Sequence, residues 1–139
     1  MALAIDLSGR VALVTGTTDG IGLGVARVLA EAGCDIAGCS RSDPDSERAI
    51  NFQSAIRDLG RRVVYDAIDI STPEAPARFV ENAATQLGRI DLVVSNAGRN
   101  IFDGIDGTSE QRWRDCIDLD LASHWRLAKI GSASCRERG

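Results

Sequence analysis

The sequence is short of the side chains that most often carry acid–base or metal chemistry. It has one tyrosine (Tyr65), one lysine (Lys129) and one histidine (His124), and aromatic residues make up 4 % of its 139 positions. Cys34, Cys39, Cys116 and Cys135 stand without a C-x-x-C spacing, so they read as small buried apolar side chains rather than disulfide partners or metal ligands. No metal site is expected. No apolar run approaches the ~18 residues of a membrane helix, and the first ten residues lack the basic segment of a secretion signal, with Asp6 in their midst. The expectation is a cytoplasmic protein that does not enter a membrane. Of 16 basic residues all but one are arginine, the net charge is −4, and no basic stripe of the kind that condenses on nucleic acid is present.

What remains is ordinary material for one soluble domain, 44 % apolar and 26 % charged. Its most informative stretch is Arg10 to Gly22, R-V-A-L-V-T-G-T-T-D-G-I-G, an apolar strand that runs into three glycines opening a helix. A strand turns tightly into a helix only where backbone torsions escape the constraint of a Cβ, and a phosphate reaches a helix N-terminus only where side chains stay clear. Gly16, Gly20 and Gly22 fall where both demands arise. The first-turn N–H groups then point at an anion with the helix dipole behind them, as a dinucleotide's pyrophosphate requires. Ile21, Val25, Val28, Leu29 and Ala32 are expected on the helix's apolar face, with Gly33 as its stop.

Strands and helices alternate thereafter. The pattern predicts strands at Val11 to Thr15, Asp35 to Cys39, Arg62 to Ala67 and Ile90 to Ser95, and a second helix from Asp45 to Leu59. Ser71-Thr72-Pro73-Glu74 reads as a capped start of a third helix ending at Gly88. Thr108-Ser109-Glu110-Gln111 opens the last helix, with Trp113, Ile117, Leu121 and His124 or Ala128 on one stripe. Strict alternation with short loops implies right-handed crossovers and a doubly wound parallel α/β sheet of the Rossmann type, in the order 3-2-1-4, which leaves the fourth strand as an apolar edge.

Two motifs carry a family resemblance. Thr15 to Gly22 resembles the T-G-x-x-x-G-I-G motif of the short-chain dehydrogenases/reductases, and Ser95-Asn96-Ala97-Gly98 resembles their N-N-A-G. Gly88-Arg89-Ile90-Asp91 matches the usual lead into that strand, and the likeness runs from about Leu7 to Lys129. It implies a cofactor site built from Gly16, Thr18, Asp19, Gly20, Ile21, Gly22, Ser40, Arg41, Asp69, Ile70, Asn96, Ala97 and Gly98. Asp69 stands where the family places an Asp beside the adenine, though a solvated strand end would look the same.

Arg41 bears on which cofactor. An acidic residue ending the second strand takes the ribose 2′-hydroxyl of NAD, whereas an arginine pairs with the 2′-phosphate of NADP. Here Ser40 holds the acidic position and Arg41 follows, which favours NADP with NAD as the alternative. Asp19, in the glycine loop, argues the other way.

The resemblance implies hydride exchange between a nicotinamide and a small-molecule carbonyl or secondary alcohol, with a serine and a Tyr-x-x-x-Lys pair supplying proton transfer, and an intact relative that forms homo-oligomers. No Tyr-x-x-x-Lys occurs here, so no catalytic residue is assigned. Tyr65, on the third strand and away from any lysine, has nothing to lower its pKa. The fourth helix carries Asp120 where the family often has an asparagine of a proton relay, and a solvated helix face is the simpler expectation for it. His124 is expected to be a packed or interface side chain rather than a base, and Trp113 and Trp125 are expected to pack. After Lys129, Ile130 to Gly139 resembles the translation of a sequencing adapter, so the partial Rossmann domain is expected to end at 129 and the fold after its fourth helix. Two readings follow: the N-terminal portion of an NAD(P)-dependent oxidoreductase, inactive as it stands, or a non-catalytic NAD(P)-binding module.

Overall fold

The computed structural model describes residues 4–136. Four parallel strands, β1 (Val11–Thr15), β2 (Asp35–Ser40), β3 (Val63–Ala67) and β4 (Leu92–Val94), form one sheet in the order β3-β2-β1-β4. Leu13 stands opposite both Ala37 of β2 and Val93 of β4, and Gly38 stands opposite Tyr65. Every residue of β1 is buried, which is why that strand reads as an unbroken apolar run rather than an alternation. The chain winds from β1 through β2 to β3 in one direction, then crosses to lay β4 on the far side of β1. The carboxyl ends of β1 and β4 therefore flank the point where the winding reverses, and open α/β sheets bind ligands at that crevice.

Helices cover both faces. Packed on one are α1 (Gly20–Glu31) and α2 (Glu47–Arg57), whose Ala26, Ala30, Phe52 and Ile56 meet Ala12, Val14 and Ile36. The other carries α3 (Ala75–Leu87), whose Phe79 and Ala83 meet Val11, Leu13 and Ala37, and the C-terminal helix described below, which adds Leu127. The doubly wound α/β fold is thus present, and no helix among the described residues is long and apolar enough to cross a membrane.

Several expectations need correction. β4 is three residues long rather than six, β2 extends to Ser40, β3 starts at Val63, and α2 is confined to Glu47–Arg57. The face of α1 is only partly the expected one: Leu29 packs against the core, but the fully buried positions are Gly22, Ala26 and Ala30, while Ile21 and Val28 are exposed. A Cβ at Gly22 would stand 2.0 Å from the Gly16 carbonyl oxygen. A helix laid that close to its sheet turns its smallest residues inward and its larger ones aside.

The start of α3 also differs. Its N-cap is Glu74, with no side-chain cap bond. Ser71 and Thr72 serve Asp69 instead: the Ser71 amide and hydroxyl donate to Asp69 Oδ1 at 3.0 and 2.7 Å, and the Thr72 hydroxyl donates to the Asp69 carbonyl. Gly88 ends α3 in the left-handed region, as read.

After a single turn, α4 (Gly104–Gly107), the last stretch begins at the expected place, with Ser109 Oγ accepting from the Arg112 amide. It is not one regular helix. α5 (Glu110–Ile117) passes through a π-helical segment, Asp118–Ala122, into α6 (Ser123–Arg136). The wider turn shifts the later residues around the axis, so that Leu119, Ser123, Leu127 and Gly131 face inward. Trp113, Leu121 and Trp125 are more than half exposed and Ile117 is also exposed, so the two tryptophans do not take the packing roles expected of them. α6 runs through the 129/130 boundary without a break and lies close on β4, since a Cβ at Gly131 would meet Val93 Cγ2 at 2.7 Å. Residues 137–139 of the expected tail, and the side chain of Cys135, lie outside the described residues.

Candidate functional site

The strand-turn-helix stretch is shaped by its glycines. Gly16 and Gly20 have φ of 73° and 52°, torsions that side-chain-bearing residues resist, and Gly22 is the contact point of α1 with the turn. The amides of Gly16 and Thr17 donate to the Cys39 carbonyl at 2.8 and 3.2 Å, which ties the turn to the end of β2. From the other side, Asn96 Nδ2 donates to the Thr15 carbonyl at 3.0 Å and the Gly16 carbonyl at 3.4 Å. The turn is clamped between the segments that leave β2 and β4.

Beside it opens a cleft of about 390 Å³, within the range of small-molecule sites. Gly16, Thr18, Asp19, Ile21, Ser40, Arg41, Asp69, Ile70, Asn96, Ala97 and Gly98 all line it. Of the expected set only Gly20 and Gly22 do not; they shape the turn rather than face the space. Sequence reasoning missed Cys39, Ser42, Ile68, Leu119 and Arg48. Arg48 had a signal available, because the first turn of a helix that follows β2 overhangs the carboxyl end of that strand.

The cleft is rich in donors. Asp19, the N-cap of α1, makes no side-chain cap bond, so the first-turn amides are left to water or a ligand. Its carboxylate instead pairs with Arg48 Nη1 at 3.0 Å, both groups being exposed. Arg41, also exposed, lines the same cleft. Asp69 is not a bare solvated strand end, since its Oδ1 organises the Ser71 turn; burial pushes its carboxyl up, but the Ser71 bonds and the nearby Arg41 and Arg99 outweigh that and hold it below the usual range.

Under the rim, Tyr65 donates to the Ser42 carbonyl at 2.7 Å and lies 2.8 Å from Ser40 Oγ. Burial pushes its phenol up, against the hydrogen bonds that pull it down, which is the opposite of what a proton donor near neutrality needs. Burial likewise pushes the Cys39 thiol up to about 12, so it stays protonated. Cys34 is buried as expected. Cys116 is not a buried apolar side chain: its thiol donates to Asp120 Oδ2 at 2.9 Å. Nor is Asp120 merely a solvated helix face, because Oδ1 accepts from the Arg99 amide at 2.8 Å and so pins the turn after Gly98. Among the described residues no cluster suited to a metal ion occurs. Open helix amides, a left-handed glycine with clear space at Gly20, and two arginines fit a phosphate-bearing dinucleotide.

Known proteins match this arrangement. The 2-dehydro-3-deoxy-D-gluconate 5-dehydrogenase of Dickeya dadantii is 37 % identical over 118 residues, covering 85 % of this chain and 45 % of the relative. The D-beta-hydroxybutyrate dehydrogenase of Cupriavidus necator is 31 % identical, covering 95 % and 50 %. Among solved structures, L-sorbose reductase of Gluconobacter frateurii, complexed with NADPH and L-sorbose, superposes with a TM-score of 0.89 at 30 % identity over 99 % of this chain and 51 % of that one. A short chain dehydrogenase of Mycobacterium paratuberculosis bound to NAD gives 0.88 at 26 % identity, covering 96 % and 53 %. The chain thus spans about half the length of the relatives it matches. The short chain dehydrogenase family model matches residues 10–138, and with the Gly16–Gly22 turn and the Asn96–Gly98 clamp in place this chain belongs to that family.

Proposed function

We propose that the cleft binds NADP(H) in preference to NAD(H), as the cofactor-binding portion of an oxidoreductase. The observation that carries this is the meeting of the open N-terminus of α1 with Arg41 and Arg48 in one cleft at the switch point of the sheet. The amides of the first turn of α1 would hold the pyrophosphate, and Arg41 and Arg48 the 2′-phosphate. Asp69 and Ile70 would border the adenine, and Asn96, Ala97 and Gly98 would back the rest. Bound nicotinamide supplies hydride exchange with a small-molecule carbonyl or secondary alcohol. These residues bind and orient; none of them is placed to move a proton, and Tyr65 is committed to Ser40 and Ser42.

Proton transfer in this reading comes from residues outside the sequence, so the 139-residue chain binds cofactor without turning it over. The lack of a Tyr-x-x-x-Lys pair equally favours the second reading, a non-catalytic NAD(P)-binding module. Titration of the purified chain with NADPH and NADH, read by the fluorescence of the bound dihydronicotinamide, tests the binding; saturable NADPH binding supports it and its absence overturns it. Carbonyl-dependent loss of NADPH absorbance would overturn the absence of turnover. A longer reading frame with a Tyr-x-x-x-Lys pair would favour the oxidoreductase over the module.

The exposed Trp113, Ile117, Leu121 and Trp125 are the surface we assign to self-association of the intact protein, in the cytoplasm. Sedimentation of a Leu121→Glu variant as a smaller species than the parent tests it.

A further inference from the structure

Four hydroxyl groups meet where β2 turns toward α2, and their protons can be counted. Tyr65 has one proton and lies 2.7 Å from the Ser42 carbonyl, which can only accept, so the proton goes there. Ser40 Oγ, 2.8 Å from the phenolic oxygen, must then be the donor of that pair. Both acceptor positions of Ser40 Oγ are filled as well, by the Thr18 hydroxyl at 3.0 Å and the Ser42 amide at 3.1 Å. With the Thr18 proton spent on Ser40, the Ser42 hydroxyl at 3.4 Å can meet Thr18 only as the donor. The protons run one way, from Ser42 through Thr18 and Ser40 to Tyr65 and back to the Ser42 backbone.

Ser40 Oγ is therefore saturated, with one bond donated and two accepted. It stands at the end of β2, where a ribose 2′-hydroxyl looks for an acceptor, yet it cannot take one without breaking this chain. At that end of the cleft Arg41 and Arg48 stand as donors, Arg48 already holding the Asp19 carboxylate at 3.0 Å. The ring of Tyr65 is held independently of its hydroxyl, with its centroid 5.9 Å from that of Phe52 in the core between sheet and α2.

From this geometry we infer that Tyr65 is a positioning residue for cofactor discrimination: by closing the hydroxyl chain it withholds Ser40 from the ribose 2′-hydroxyl and fixes the turn carrying Arg41, so that the site selects a 2′-phosphate. The inference rests on the NADP(H) reading proposed above. Tyr65 reaches the cofactor only through Ser40 and Ser42.

The test is titration of the parent chain, Tyr65→Phe, Ser40→Ala and the double variant with NADPH and NADH. Tyr65→Phe keeps the ring and leaves the Ser40 proton free to turn to Thr18, which reopens one acceptor position on Ser40 Oγ, so the preference for NADPH is expected to fall about fivefold, the worth of one net hydrogen bond. A merely structural role would weaken both cofactors alike and leave their ratio unchanged. Ser40→Ala removes the acceptor itself, so the preference for NADPH is expected to hold in that variant and in the double variant; a Ser40→Ala chain that loses the preference overturns the inference, which keeps the test alive if Tyr65→Phe does not fold. An unchanged ratio in Tyr65→Phe beside a parent that prefers NADPH overturns the inference and leaves the proposed function standing. A parent chain that binds neither dinucleotide overturns the proposed function, and the inference with it.

Discussion

Thr15 Oγ1, fully buried at the end of β1, accepts hydrogen bonds from the amides of Asn96 and Ala97 at 2.9 and 3.0 Å, so a single hydroxyl holds the exit of β4 against the glycine turn. Thr15→Val keeps the shape of the side chain and strands both amides, at a cost of about 2 kcal/mol in unfolding free energy. Thr108→Val removes an exposed hydroxyl that donates to the Gly104 carbonyl and should change stability by less than about 0.5 kcal/mol. Urea unfolding of the two variants side by side checks the contrast. Equal midpoints would show that the clamp contributes nothing.

Gly22 and Gly24 lie two residues apart on α1 and predict opposite outcomes. An alanine Cβ at position 22 would stand 2.0 Å from the Gly16 carbonyl oxygen and 2.6 Å from Asn96 Nδ2, so α1 must move off the sheet and the turn must reshape. At position 24 the same Cβ meets nothing within 4 Å. Gly24→Ala should therefore stabilise by about 0.5–1 kcal/mol through the lower entropy of the unfolded chain. Gly22→Ala should lower the melting temperature and abolish cofactor binding. Thermal melts and NADPH titration of both variants test the pair.

Much of this layout is legible in the sequence because it follows from local rules. β1 reads as a strand because it is buried on both faces, and the Gly16–Gly22 turn because glycine alone suits its torsions. What escapes is set by neighbours that sequence spacing does not reveal. The inward face of α1 is chosen by how near the helix lies to Gly16, so Gly22, Ala26 and Ala30 win over the bulkier Val25 and Val28. The inward face of the last helix, Leu119, Ser123 and Leu127, escapes because a π-helical segment at Asp118–Ala122 breaks the 3.6-residue period on which the reading depends. Ser71 and Thr72 look like a helix cap, yet the Asp69 carboxylate claims Ser71 and the Asp69 backbone carbonyl claims the Thr72 hydroxyl. In the cleft, the residues named from the motifs are brought together, whereas Ser42 belongs to no motif and enters only through the path of the chain from β2 to α2.

Asp91 makes stability depend on acid. Burial raises its pKa, but the Arg89 guanidinium, the Val11 amide and Arg10 outweigh it and the net shift is downward. A carboxyl whose folded pKa lies below its unfolded value contributes stability that is complete above about pH 4 and is lost as pH falls through the lower, folded value. The urea midpoint of the parent chain should therefore fall as pH drops below about 4, and more gently in Asp91→Asn, which never carries the charge. Parallel curves for the two proteins would remove Asp91 from the account.

Asp19 and Arg48 form the ion pair that a 2′-phosphate would have to divide. Their side chains are 68 % and 70 % exposed, so water already weakens the attraction, and Asp19 makes no cap bond that an asparagine would lose. Asp19→Asn releases Arg48 and removes a carboxylate from the mouth of an anion site, so NADPH should bind roughly twofold to fivefold tighter, the scale of one exposed charge pair. NADH gains only from the reduced repulsion at the pyrophosphate and should improve less. Because a Debye length is about 10 Å at 0.1 M salt, the advantage should shrink as ionic strength rises. Arg48→Ala should do the reverse, weakening NADPH while leaving NADH nearly unchanged. Titrations of both variants with both cofactors at two salt concentrations separate these effects. If Asp19→Asn tightens NADPH and NADH equally, Arg48 is not the group it sets free.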